Sequence, residues 1–261
     1  MMPMTVSSVD ALFPVLRTRS GPPAVPRVQV VVAHPDDETF GCGSLLLHAR
    51  SLGMETAVVC ATPGDAGEWP DDLALPAGGI AEQRERELRE AAAVLGVGTV
   101  DVLGFGDSGM AGVPASTTLV GASSRDVADA VRASILAFDP DVLVTLDASD
   151  GHRDHARVRD VTRGIGAELG VPVYLLCLAR RLMRQWAELL AARDPGSDYL
   201  ALGELGTPDE DIDLVVDTQA HYERREAAIQ LHRSQTSPFE GLPPDLRREW
   251  LTVEHLRGPL P

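Results

Sequence analysis

The chain has 261 residues, of which 44% are hydrophobic, and this length suits one large α/β domain with an elaborated end. Its formal net charge of −16 argues against binding to nucleic acid or anionic membranes, because phosphate groups would be repelled. The three cysteines lie in apolar runs and favour reduced thiols over a disulfide framework. The N-terminal stretch lacks a signal-peptide core, and no apolar run reaches transmembrane length, so we expect a cytoplasmic protein.

Strands and helices alternate along the chain. Short apolar runs predict strands over residues 28–33, 56–61, 100–103, 142–146, 173–178 and 212–216. Apolar residues three and four apart predict helices over 9–16, 41–51, 80–95, 124–138, 156–169, 182–192, 219–233 and 245–254. This alternation predicts an α/β fold with a mainly parallel central sheet between two layers of helices.

Three segments organise the chain. We predict an N-terminal extension at residues 1–26, a single domain at 27–237 and a C-terminal tail at 238–261 that packs on the domain. Two polar loops rich in proline and glycine, 63–79 and 104–118, follow predicted structural elements, and the first is long enough to form an active-site rim.

Four polar residues follow the first predicted strand at once: His34, Asp36, Asp37 and Glu38. The intervening Pro35 prevents the strand ladder from continuing, so these side chains lie at the carboxyl end of a buried strand. Open α/β sheets bind their ligands at that end. Three carboxylates this close together are unfavourable unless a cation compensates them, and the cluster therefore predicts a metal site.

A second polar cluster, with His152, Asp154 and His155, follows the predicted strand 142–146. Carboxyl ends of parallel strands share one edge of the sheet, so the two clusters can meet there. His152 and His155 face the same side if they open a helix. Two imidazoles and one carboxylate, with an open fourth position, are typical of catalytic zinc sites, although the same ligands also accept Fe²⁺.

The segment Ala33–Glu38 (AHPDDE), together with His152-x-Asp154-His155, resembles the PIG-L/LmbE-like zinc-dependent N-deacetylases. Weaker similarity at residues 83–88, 105–110 and 232–235 extends the resemblance over roughly residues 28–235. The family implies a Rossmann-like three-layer sandwich and Zn²⁺. It also implies a small-molecule substrate, an amino sugar or glycoconjugate that loses an acyl group, typically acetyl. The stretch at 107–109 is most similar to the branch that handles mycothiol precursors and conjugates.

The resemblance also implies which residues bind the metal and which residue acts as the general base. His34, Asp37 and His155 match the zinc ligands. Asp36 matches the general base, which takes a proton from a metal-activated water.

Further roles follow from the same resemblance. His152 matches a second catalytic histidine that, when protonated, stabilises the oxyanion or delivers a proton to the leaving amine. Asp154 is placed to hold that imidazole and keep it protonated. Arg84 and Asp107 match contacts to the sugar hydroxyls. Glu38 is expected to support the ligands as a second layer of contacts.

Two positions depart from the family pattern. Asp150 stands where some amino-sugar deacetylases carry a tyrosine that assists the oxyanion, and Arg153 stands where the family usually has proline. Both lie at the predicted substrate mouth, so they weaken any transfer of substrate identity.

Other functions compete with an N-deacetylase. A mycothiol-conjugate-type amidase would use the same site, and a mononuclear non-haem iron oxygenase also uses two histidines and one carboxylate. Oxygenases of that kind usually set their ligands on an all-β barrel, and the unligated Asp36 suits hydrolysis better. A binding module without catalysis is a third reading, opposed by the intact Asp36 and His152. The sequence leaves the acyl group, the sugar and the formation of a homo-oligomer open.

Overall fold

The computed structural model describes residues 2–18, 25–67, 69–70 and 73–260, and these form seven strands and nine α-helices. The strands are β1 (Arg27–Val32), β2 (Glu55–Cys60), β3 (Thr99–Val102), β4 (Val142–Leu146), β5 (Val173–Leu176), β6 (Leu214–Asp217) and β7 (Val253–Leu260). The helices are α1 (Val9–Leu12), α2 (Asp37–Phe40), α3 (Gly43–Ser51), α4 (Gly79–Leu95), α5 (Ser124–Phe138), α6 (Arg153–Leu169), α7 (Arg180–Arg193), α8 (Tyr222–Ile229) and α9 (Pro244–Thr252).

The seven strands form one sheet in the order β3-β2-β1-β4-β5-β7-β6. Strands β1 to β5 pair in parallel, whereas β7 runs antiparallel to both of its neighbours. The strand order reverses between β1 and β4, because the chain first builds outward to β3 and then continues on the other side of β1. Such a switch point opens a crevice at the carboxyl ends of the strands.

Helices cover both faces of the sheet. Even-numbered residues of β1, such as Val30, pack with Leu45 of α3 and Leu88 of α4 in one core cluster. The odd-numbered Val31 packs with Val131 of α5 and Val158 of α6 in a second cluster. This alternation follows from the two-residue period of a strand buried on both faces. The predicted α/β three-layer sandwich with a mainly parallel sheet is confirmed.

Several predicted elements differ in extent. Helix α6 begins at Arg153 rather than at residue 156, so it includes His155. The predicted helix 219–233 is shorter: α8 ends at Ile229, and the chain then turns so that the His232 ring reaches Glu38. Local sequence signals predict where a helix ends, whereas the end of α8 is decided by a buried contact between distant residues.

Strand β7 was absent from the predicted elements. It inserts between β5 and β6, and the predicted helix over 245–254 ends at Thr252 where this strand begins. Its final residues include Gly258 and Pro259, which are unfavourable in strand interiors, so the local sequence gave no strand signal.

Both chain ends contact the central domain. Met4 pairs with Val216 of β6, and Leu12 and Phe13 are fully buried, while β7 joins the sheet itself. The predicted division of the chain into an extension (1–26), a domain (27–237) and a tail (238–261) stays a prediction. No helix in the described ranges combines the length and the apolar character that crossing a bilayer requires.

Helix α6 approaches the sheet closely at one glycine. A Cβ on Gly166 would collide with the Val173 side chain and would lie 2.8 Å from the Val171 carbonyl oxygen. Gly164, two residues earlier on the same helix, has no neighbouring atom within 4 Å of its Cβ position. These two positions separate the packing effect from the helix-propensity effect of the same substitution.

We therefore expect Gly166→Ala to lower the free energy of unfolding by about 1–3 kcal/mol, because α6 must move away from the sheet. Gly164→Ala should raise it by about 0.5–1 kcal/mol through helix propensity alone. Urea denaturation followed by circular dichroism measures both changes. Equal effects of the two substitutions would contradict the close approach.

Candidate active site

The crevice at the switch point brings the two polar clusters together. His34 follows β1, while His152 and His155 lie at the amino end of α6, which follows β4. The ring centroid of His34 lies 4.6 Å from that of His152 and 5.3 Å from that of His155. All three imidazoles are buried. The sheet order therefore assembles a three-histidine centre from segments about 120 residues apart.

Asp37 is held between His34 and His155. Its Oδ2 accepts hydrogen bonds from the backbone N–H groups of His34 (2.9 Å) and Ala33 (3.2 Å), which fixes the carboxylate at the end of β1. The other oxygen, Oδ1, lies 3.2 Å from Nε2 of His155. Burial would raise the pKa of Asp37, but the nearby charge of His155 outweighs it and lowers that pKa well below its usual value.

A second carboxylate orients His155. Nδ1 of His155 lies 2.6 Å from Oδ2 of Asp150, and Oδ1 of Asp150 accepts a hydrogen bond from the backbone N–H of His152 at 3.0 Å. Burial would lower the pKa of His155, but Asp150 and Asp37 together raise it to about 10. The position between these two carboxylates therefore favours a positive charge.

The donor atoms fit a divalent metal ion. Nε2 of His155 is buried and has no hydrogen-bond partner, while it faces Oδ1 of Asp37. With Nδ1 bonded to Asp150, a neutral imidazole would present its Nε2 lone pair to a carboxylate oxygen, which is repulsive unless a cation compensates. Two ligands of a tetrahedral Zn²⁺ lie about 3.3 Å apart, and this nitrogen–oxygen pair is 3.2 Å apart.

Two further donor sets overlap with the predicted one. The nitrogens of His34, His152 and His155 lie within 4.8 Å of one another, as do donor atoms of His34, Asp107 and Asp154. The predicted set of His34, Asp37 and His155 shares both His34 and His155 with the three-histidine set. The geometry thus leaves Asp37 and His152 as competing candidates for one ligand position.

Asp36 has a strained backbone. Its φ of 140° lies in the region that non-glycine residues rarely adopt, and such strain is concentrated at functional sites. Two contacts hold it there: Oε2 of Glu38 accepts the Asp36 backbone N–H at 2.9 Å, and Nη2 of Arg84 donates to Asp36 Oδ2 at 2.9 Å. Burial raises the pKa of Asp36 to about 6, although Arg84 lowers it. The side chain is 17% exposed, so water can reach it.

Arg84 contacts the predicted general base. Its side chain is only 4% exposed, and its Nη1 and Nη2 atoms donate to the Gly64 and Pro35 carbonyl oxygens and to Asp36. These contacts hold the Asp36 carboxylate in place. The predicted contact of Arg84 with sugar hydroxyls stays a prediction.

Asp107 lies beside His34. Its Oδ1 is 3.5 Å from Nε2 of His34 and accepts the backbone N–H of Gly109 at 2.8 Å, and its own N–H donates to Asp65. Burial would raise the pKa of Asp107, but the hydrogen bond with His34 outweighs it and lowers that pKa. The carboxylate thus faces the histidine centre, and its predicted contact with sugar hydroxyls remains a proposal.

The predicted pairing of Asp154 with the His152 imidazole is wrong in this structure. His152 precedes α6, and its Nδ1 accepts the backbone N–H of Asp154, while the Asp154 carboxylate lies 3.2 Å from Nε2 of His34 and accepts the Ser108 N–H. Burial, aided by the positive charges of His34 and His155, lowers the pKa of His152 to about 4. The lowered pKa and the acceptor role of Nδ1 favour a neutral His152 imidazole with its hydrogen on Nε2.

Sequence reasoning missed two contributors. Asp150 was noted only as the residue that replaces a tyrosine, although its place two residues before His152 could have suggested a carboxylate support. His232 lies in the family-like segment 232–235, but the sequence did not indicate its partner. In the structure its Nε2 lies 2.8 Å from Oε1 of Glu38, the residue that was expected to support the ligands.

The chain is similar to known proteins over most of its length. The family model described as "PIG-L: GlcNAc-PI de-N-acetylase" matches residues 29–165. A protein of Geodermatophilus obscurus named 1D-myo-inositol 2-acetamido-2-deoxy-alpha-D-glucopyranoside deacetylase is 33% identical over 267 residues, which cover 88% of this chain and 91% of that protein.

Solved structures share the fold at lower identity. The N,N'-diacetylchitobiose deacetylase from Pyrococcus horikoshii is 20% identical with a TM-score of 0.56, covering 88% of this chain and 82% of the other. The 4-carboxy-2-hydroxymuconate hydratase GalB from Pseudomonas putida KT2440 is 15% identical with a TM-score of 0.58, covering 91% and 97%. Because a deacetylase and a hydratase share this fold, the reaction must be argued from the side chains.

The Asp150–His155 contact generates a prediction about metal affinity. Asp150→Asn should weaken Zn²⁺ binding by about 10- to 100-fold, because the amide cannot match the charged acceptor that fixes the His155 ring. Competition with a chromogenic chelator measures the dissociation constant without any substrate.

Asp160→Asn is the matched control. Asp160 lies on α6, the helix that carries His155, and its side chain is 61% exposed, so this variant removes an equal charge away from the site. Wild-type affinity in Asp150→Asn, or an equal loss in Asp160→Asn, would show that Asp150 does not orient a ligand.

Proposed function

Because the chain belongs to the PIG-L family of de-N-acetylases, we propose that it is a metal-dependent amide hydrolase that removes an N-acetyl group from an amino sugar. The observation that carries this proposal is Asp36, a strained and partly exposed carboxylate that Arg84 and Glu38 hold beside the histidine centre. A general base next to a metal site, yet outside its ligand set, suits hydrolysis.

We propose Zn²⁺ at His34, Asp37 and His155, and when bound it would polarise both water and the scissile carbonyl. Asp36 accepts a proton from the attacking water as the new carbon–oxygen bond forms. His152 donates a hydrogen bond from Nε2 to the developing oxyanion. The carbon–nitrogen bond then breaks, the proton passes from Asp36 to the leaving nitrogen, and acetate and the free amine result.

The proposed substrate is an N-acetylglucosamine conjugate, supported by the 33% identity to an enzyme named for an inositol-linked N-acetylglucosamine. Asp107 is proposed to accept a hydrogen bond from a sugar hydroxyl. Asp150 and Arg153, which replace common family residues, leave a mycothiol-conjugate-type amidase as the alternative on the same site. The buried free cysteines suit a reducing cytoplasm.

An iron oxygenase is a less favourable interpretation of the site than a hydrolase. It requires two histidines and one carboxylate, which the crevice offers, but it gives no role to Asp36 or to its two holding contacts. A base held in a strained conformation is instead explained by proton abstraction from water.

We expect acetate release from at least one of three compounds: N-acetylglucosamine, N,N'-diacetylchitobiose and 1D-myo-inositol 2-acetamido-2-deoxy-alpha-D-glucopyranoside. Treatment with a chelator should abolish release, and added Zn²⁺ should restore it, because the metal polarises the reacting groups. Free amine is measured by fluorescamine. Turnover that survives complete metal removal would refute the metal-dependent mechanism.

Asp36→Asn should bind Zn²⁺ like the wild type but lose about 100-fold or more in kcat, because the amide cannot take a proton. His155→Ala should lose the metal itself. Metal content by atomic emission, measured beside kcat, separates the two effects. Near wild-type turnover in Asp36→Asn would assign the base elsewhere.

A second pair of variants decides the third ligand. If Asp37 is the ligand, Asp37→Ala loses Zn²⁺ while His152→Ala retains it and loses turnover; we expect this result. Metal content measured on purified proteins gives the answer. The reverse pattern would assign the three-histidine set.

A further inference from the structure

Arg153 binds a loop that borders the site. Its guanidinium donates to three backbone carbonyl oxygens: Nε to Gly109 (2.7 Å), Nη1 to Gly112 (2.8 Å) and Nη2 to Ala111 (2.9 Å). One side chain at the amino end of α6 thus satisfies three acceptors in four consecutive loop residues. The planar, forked donor group of arginine suits such a cluster, whereas a lysine ammonium is a single point of charge.

These contacts continue to the histidine centre. Gly109, whose carbonyl accepts from Arg153, donates its own N–H to Oδ1 of Asp107 at 2.8 Å. That same oxygen lies 3.5 Å from Nε2 of His34. The loop is therefore connected from Arg153 through Gly109 to Asp107, and from there to His34.

The next residue of α6, Asp154, also holds this loop. Oδ2 of Asp154 accepts the backbone N–H of Ser108 at 2.9 Å and lies 3.2 Å from Nε2 of His34. Asp154 thus receives an amide of the loop while Arg153 donates to its carbonyls. The N-terminal turn of α6 therefore contacts both the loop and the histidine centre.

We propose that Arg153 is a positioning residue that holds the loop 104–118 against α6 and so keeps Asp107 in place for the substrate. The proposal rests on the proposed function, because it assigns the loop to sugar binding. Arg153 lies beside, and outside, the proposed metal ligands and base, so its loss should impair substrate binding more than the chemical step.

The test uses Arg153→Pro and Arg153→Lys. Proline suits this position, since Arg153 is the first residue of α6, where the N–H has no partner within the helix. Arg153→Pro should therefore fold and bind Zn²⁺ normally while it releases the loop. We expect amide hydrogen exchange in residues 106–112 to accelerate about 10-fold or more, as measured by mass spectrometry.

The kinetic measurement uses the most active compound of the three-compound panel. KM should rise about 10-fold in Arg153→Pro, with kcat within about threefold of wild type. Arg153→Lys should recover part of the loss, because it retains the charge but cannot reach three carbonyls together.

Arg157→Ala is the matched control. Arg157 lies one turn further along α6 and donates to the Ala122 carbonyl and the Ser124 hydroxyl, outside the loop. Its exchange in residues 106–112 and its KM should match the wild type. Unchanged exchange in Arg153→Pro, or an equal change in Arg157→Ala, would overturn the proposal. The exchange measurement needs no substrate, so it fails or succeeds independently of the deacetylase assay.

Discussion

The site depends on the attraction between carboxylates and the positive charge that His34 and His155 favour. Four carboxylates lie within about 3.5 Å of a ring nitrogen of His34 or His155, namely those of Asp37, Asp107, Asp150 and Asp154. Buried carboxylates at this density would repel one another in the absence of a compensating cation. That balance explains why the pKa of His155 is raised to about 10 between Asp150 and Asp37, and why the same place suits a divalent metal ion.

Some polar residues of the site face the histidine centre, and others hold those residues in position. Asp36 faces the crevice, whereas Arg84 and Glu38 fix its carboxylate and its strained backbone. The N-terminal turn of α6 follows the same arrangement, with His152 and His155 at the centre and Arg153 bound to a neighbouring loop. The Arg153 guanidinium donates to three carbonyl oxygens, so this side chain binds the loop to the start of α6.

Much of the fold was predictable because its signals are local. Short, mostly apolar runs identified β1 to β5. Helix α5 was predicted with its observed bounds, since Ser123 and Ser124 mark its start and its apolar stripe is regular. Strand β7 was missed because Gly258 and Pro259 are unfavourable in strand interiors, and because its partners β5 and β6 are distant in sequence. The early end of α8 was missed for a related reason, as it depends on the contact between His232 and Glu38.

The sequence by itself determined that two polar clusters leave the carboxyl ends of buried strands, because chain order and apolar periodicity are enough to locate strand ends. It thereby indicated His34, Asp36, Asp37, His152 and His155 as the candidate centre. Only the tertiary structure decided which partner each side chain takes: the Asp154 carboxylate contacts His34 rather than His152, Asp150 holds His155, and Arg84 holds Asp36. The reason is that sequence spacing places a residue on an element, whereas the direction of its side chain depends on how elements far apart in the chain pack together.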